Sequence, residues 1–94
     1  MNAGEPTEVV YANSVLAFDG RVLELFGHSS APIGNRIHVA QITEIKEEAD
    51  KVVIWIRGMI EYSIVLKGED EGVRGEVASL IAEVRQAAPN IEAG

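Results

Sequence analysis

The chain contains no cysteine, which removes disulfides, zinc ribbons, cysteine-held iron–sulfur clusters and thiol nucleophiles in one step. Basic residues are few: 8 Lys and Arg stand against 15 Asp and Glu, for a formal net charge of −7. Such a balance repels phosphate polyanions and anionic lipid surfaces over a distance of order the Debye length. The cations sit singly at Arg21, Arg36, Lys46, Lys51, Arg57, Lys67, Arg74 and Arg85. They form no cluster and have no interleaved aromatics, so no nucleic-acid partner is expected. No run approaches the roughly 18 apolar residues of a membrane helix. The first eight residues lack the basic and then apolar pattern of a secretory signal. These absences set the expectation of no integral membrane segment and a cytoplasmic location.

What is present is apolar material. Hydrophobic residues make up 47% of the 94, and charged residues 24%, enough to build a core without disulfides or metal. A chain of this size buries roughly 60 to 65% of its unfolded surface. The expected organisation is a single domain over 1–94, with a flexible N-terminus at 1–7, antiparallel strands over 8–68, a C-terminal helix over 70–88 and a tail at 89–94.

Residues 8–18 are rich in Val, Tyr, Leu and Phe and read as one strand, bulged near Asn13 and Ser14. Asp19-Gly20 then separates two apolar runs, and Asp-Gly readily takes the positive φ angles of a two-residue hairpin turn. That turn predicts Phe18 facing Arg21 and Leu16 facing Leu23, with Leu16, Phe18, Leu23 and Leu25 on one core face. Residues 27–35 hold Ser29, Ser30, Pro32 and Gly34, a breaker-rich loop. Ile37 and Val39 alternate, but Ile42 and Ile45 break the period, which predicts a bend near Ala40 and Gln41. Residues 51–57 are the most β-prone run, and their continuous hydrophobicity predicts burial on both faces. After Gly58, residues 60–66 return as another strand. The period then changes: Val73, Val77, Leu80, Ile81, Val84 and Ala88 recur at helical spacing. Asp70 suits the N-cap, Glu69 and Glu71 the positive end of the dipole, and Pro89 the stop.

This order of elements is mainly β with one C-terminal α-helix. The runs "VLAFDGRVLELFG", "RIHVAQITEIKEE", "KVVIWIRG" and "IEYSIVLKG", followed by the closing helix, resemble bacterial pleckstrin-homology-like domains. The likeness is one of pattern over about residues 8–88. It implies a bent, antiparallel, partly open barrel capped by the helix, used for binding peptides, proteins or lipids. It also implies self-association, since some bacterial relatives form symmetric rings. Phosphoinositide-binding members cluster basic residues around the first hairpin, whereas here only Arg21 follows Asp19-Gly20. That departure argues against headgroup recognition.

Candidate chemistry is thin. His28 and His38 belong to no metal-ligand spacing, so a surface or hydrogen-bonding role outweighs metal or base chemistry. Glu44, Glu47, Glu48 and Asp50 lack a calcium-loop pattern and read as a solvated strand edge. None of Ser14, Ser29, Ser30, Ser63 and Ser79 lies in a nucleophile motif. Gly68, Gly72 and Gly75 precede or open the helix without a phosphate-loop ending. Trp55, with Tyr11, Tyr62, Phe18 and Phe26, reads either as core or as the lining of a groove or interface.

The expectation is therefore a non-enzymatic binding or assembly domain of protein–protein contact, including contact with copies of itself, with no catalytic residue, metal or cofactor. The apolar density of Val53, Trp55, Arg57, Met59 and Ile60 marks the candidate interface. The alternative is a small-ligand or lipid-binding module, for which Arg21 and Arg36 are the candidate anion contacts.

Overall fold

A computed structural model describes residues 7–11, 14–26, 35–57 and 60–91. The chain folds into two antiparallel sheets and one C-terminal helix, and the sheets do not close into a full barrel. Strands β1 (Thr7–Tyr11), β2 (Ser14–Phe18), β3 (Val22–Phe26) and β4 (Asn35–His38) form the first sheet in chain order. Strands β5 (Ile42–Glu47), β6 (Lys51–Ile56) and β7 (Ile60–Val65) form the second. Helix α1 spans Glu71–Ala87.

The first surprise lies in residues 8–18, which are not one bulged strand. They are a hairpin whose arms β1 and β2 pair from Thr7 with Phe18 to Tyr11 with Ser14. Thr7, expected in a flexible terminus, is already in β1. The period-2 pattern does not separate the two arms because both are apolar; Ala12 and Asn13 lie outside the described residues.

The next hairpin also differs in register. Phe18 pairs with Leu23 and Leu16 with Leu25, two residues away from the pairing that an Asp19-Gly20 loop dictates. Extending that register sets Asp19 opposite Val22, where the Asp19 N–H donates to the Val22 carbonyl at 3.3 Å. Gly20 and Arg21 therefore make the reversal, with Gly20 at φ 102°. The Asp19 carboxylate decides this, accepting the N–H groups of Arg21 and Val22 at 2.8 Å each. Asp thus precedes the turn, as an Asx residue does, and does not occupy its centre. A shift of two preserves the pleat, so Leu16, Phe18, Leu23 and Leu25 still share the buried face.

The broken period after Ile37 is a 3-10 turn, Val39–Gln41, that carries the chain from the first sheet to the second. His38 caps it: its Nδ1 accepts from the Ala40 N–H at 3.1 Å, and Gln41 Oε1 accepts from the His38 N–H at 3.0 Å. Within β6, Val52, Ile54 and Ile56 belong to the core. Val53 and Trp55 alternate onto the opposite face, Val53 beside Lys46 and Ser63, Trp55 beside Glu44 and Glu61.

Both sheets and the helix contribute to one core. Val77, Leu80, Ile81 and Val84 are fully buried, each adding about 1.5 to 3 kcal/mol relative to exposure. Asp70 caps α1, its Oδ1 accepting from the Val73 N–H at 2.9 Å. Arg74 ties the first turns to the second sheet: Nε donates to the Glu69 carbonyl at 3.0 Å and Nη2 to the Leu66 carbonyl at 2.9 Å. Its Nη1 meets the Ala49 carbonyl, and Nη2 also pairs with Asp50 at 3.1 Å. At the other end, the Asn90 side chain donates to the Ala40 carbonyl at 2.8 Å.

Candidate functional site

The five residues singled out for their apolar density do not form one exposed surface among the described residues. Val53 is only 3% exposed, so it has little area to offer a partner. Trp55 is half-buried and Arg57 exposed, while Met59 and the side chain of Ile60 lie outside the described residues. The Arg57 N–H donates to the Gln41 carbonyl at 2.8 Å, joining the end of β6 to the 3-10 turn. A six-residue apolar strand over-supplies hydrophobic side chains only if its second face is open, and neighbouring strands largely close it around Val53.

Exposed apolar surface is found instead on the first sheet. Val10 pairs with Val15, and Val15 with Phe26, so these three form one cross-strand row on the face opposite the core. Val10 is 65% and Phe26 39% exposed. The next row on that face, Glu8, Ala17, Glu24 and Arg36, is largely charged. Val65 on β7 is a separate exposed apolar residue at 55%, paired with Lys51. Sequence alternation placed Phe26 among possible lining residues. Val10 was hidden because residues 8–18 read as one strand, which removes the pairing that lines it up with Val15.

The candidate anion contacts fare differently. Arg21 is exposed at the turn. Arg36 pairs with Glu24, Nε to Oε2 at 3.4 Å, and its charge also bears on Asp19. Hydrogen bonds from the Val22 and Arg21 N–H groups, with a smaller pull from Arg36, hold the Asp19 carboxyl below its usual value. Asp19 and Glu24 thus set negative charge beside the two arginines, which weakens their pull on an anion.

Of the acidic run near β5, Glu47 accepts from Arg85 and Asp50 from Arg74. No group of three or more His, Asp or Glu able to hold a metal occurs among the described residues. His38 is engaged in its cap, and His28, Ser29 and Ser30 lie outside the described residues. No described helix is long and apolar enough to cross a membrane.

A groove of about 520 Å³ runs between β1 and α1. Thr7, Glu8 and Val9 form one wall, and Glu71, Gly72, Gly75, Glu76 and Ser79 the other. Thr7 Oγ1 donates to Glu83 at 3.0 Å, bridging strand and helix beyond Ser79. The helical spacing of 72, 75, 76 and 79 was visible in the sequence only as the polar side of α1, since nothing local announces which strand it meets.

Compared with protein-family models, with curated proteins and with solved structures, the chain matches none.

Proposed function

We propose that this chain is a non-enzymatic protein-contact domain of pleckstrin-homology-like architecture that assembles with copies of itself through the outer face of its first sheet. The row Val10, Val15 and Phe26 carries this reading. Two of its three side chains are large, apolar and solvent-facing in one cross-strand row, where water contact is costly and a second apolar face relieves it. Element order supports the architectural part: four strands, then three, then one capping helix. The adjoining row pairs Glu24 with Arg36, the alternating polar rim that surrounds an apolar centre in protein contacts.

Size-exclusion chromatography with light scattering tests this. The expected result is a mass above the monomer that rises with protein concentration and falls to the monomer in Val10→Ser/Phe26→Ser. A constant monomer mass up to about millimolar protein, or an unchanged oligomer in the double variant, overturns the reading.

A further inference from the structure

We propose that the outer edge of β7 pairs with β7 of a second copy of this chain, antiparallel about a two-fold axis at Ser63, so that the two second sheets join into one. The fold treats its four sheet margins differently, and the difference points to β7. α1 packs along β1, with Thr7 bonded to Glu83. β4 is four residues long and runs into the 3-10 turn. β5 shifts register between Ile42 and Glu44, and Arg85 takes its Ile45 carbonyl. A covering element, short length and a bulge are devices that keep an edge from pairing with another chain. β7 has none of them: its six residues hold one unbroken register against β6, without proline and with Glu61 as the single charge. Among the described elements, only β6 runs close alongside it.

The outward backbone groups of β7 follow from one bond. The Leu66 N–H donates to the Asp50 carbonyl at 2.7 Å, which continues the β6–β7 register by one pair. Alternation then turns the N–H and C=O groups of Ile60, Tyr62 and Ile64 toward β6, and those of Glu61, Ser63 and Val65 away from it. No further backbone bond to these three is found among the described residues. An antiparallel second copy engages all of them in a single register, with Ser63 opposite Ser63 and each Glu61 opposite the Val65 of the other copy.

Side chains select a second copy as the occupant. Glu61, Ser63 and Val65 lie on the face opposite the core, in rows with Trp55, Val53 and Lys51. Glu61, Val65 and Lys51 are exposed, and neither Glu61 nor Lys51 takes part in an ion pair among the described residues. In the two-fold register one row reads Trp55 and Glu61, then Val65 and Lys51 of the second copy. The exposed valine is thereby flanked by two opposite charges. Their Cα atoms stand about 10 Å apart, two strand spacings, which a glutamate and a lysine side chain span together.

This contact goes beyond the first-sheet face and uses none of its residues. Three outward residues from each copy bury far less than the roughly 1,200 Å² of a stable interface, so the pairing by itself fills only near millimolar protein. Within an oligomer already held by the first-sheet face, proximity strengthens it.

Val10→Ser/Phe26→Ser, a monomer at chromatographic concentrations, isolates the β7 contact. Amide chemical shifts and hydrogen exchange are followed from about 0.05 to 2 mM protein. The amides of Glu61, Ser63 and Val65 are expected to shift and gain protection as concentration rises. A mixture of labelled and unlabelled chains is expected to show a Tyr62 Hα to Ile64 Hα contact between copies. In the same background, Glu61→Lys and Lys51→Glu are each expected to weaken pairing by at least about fivefold, and an equimolar mixture of the two to restore it, since both rows again carry opposite charges. Ser63→Pro removes an outward N–H without touching the bonds to β6, and is expected to abolish pairing in a folded chain. The proposal is overturned if the three amides stay unchanged, if the shifts fall on another edge, if the mixture pairs no better than either charge variant alone, or if folded Ser63→Pro still pairs. Its failure leaves the chromatographic test of Val10 and Phe26 untouched.

Discussion

The Arg85 guanidinium donates from Nη2 to the Ile45 carbonyl at 2.9 Å, across 40 positions of sequence, and the same nitrogen reaches Glu47 at 3.2 Å. With Arg74 near the helix start, this gives α1 two cationic ties to the second sheet and sets which flank of the helix is left to face β1. Backbone carbonyls that would otherwise end unpaired at the sheet margin are thereby satisfied.

Arg74 is the stronger of the two ties, since it meets the carbonyls of Glu69, Ala49 and Leu66 as well as Asp50. Arg74→Met is expected to cost about 1.5 to 3 kcal/mol, the range for hydrogen bonds to a charged group. Arg74→Lys recovers little of that, because an ammonium cannot reproduce the planar fork. Urea unfolding of both variants checks this.

Opposite signs are expected at two glycines. Gly20 sits at φ 102°, and Gly20→Ala forces a side chain into the left-handed region at a cost of about 1 to 2 kcal/mol. Gly75 is an exposed helical residue with open space around it. Gly75→Ala is expected to stabilise by about 1 kcal/mol. Thermal unfolding of the two variants separates them.

Asp19 gives a pH dependence with a defined sign. Its carboxyl is held below the usual value by the Val22 and Arg21 N–H groups. A depressed folded-state value means the contribution is present above the unfolded value of about 3.9 and is lost as pH falls through the folded one. Asp19→Ala is therefore expected to be less stable than the native chain by a constant margin near neutrality, and by a shrinking margin in acid. Denaturation across pH 2 to 7, with carbon-detected titration of the carboxyl, measures both.

In the core, Leu80→Ala is expected to cost about 2 to 5 kcal/mol, because the side chain is fully buried. Val10→Ser, at 65% exposure, is expected to fall within about 0.5 kcal/mol at concentrations where the chain is monomeric. Parallel chemical denaturation of the two distinguishes a core position from a contact position.

Local pattern reached far in this chain. The change from two-residue to helical spacing located α1, with Asp70 as its cap and Val77, Leu80, Ile81 and Val84 inward. The broken period at Ile42 marked the turn between sheets. The shared face of Leu16, Phe18, Leu23 and Leu25 survived a register error because a shift of two leaves the pleat unchanged. Those features depend on spacing along the chain, which any reader of the sequence possesses.

What spacing cannot convey is which surfaces meet. Whether Val53 or Val10 stays in water depends on the neighbours of β6 and β1, and those come from strands far along the chain. The two valines are chemically identical and both lie in apolar strands, yet one is 3% and the other 65% exposed. The groove beside β1 has the same origin, since its walls lie more than 60 positions apart. Composition and period determined that this chain makes sheets and a closing helix. Only packing decided where apolar area was left over, because that area is a remainder after the tertiary contacts have been made.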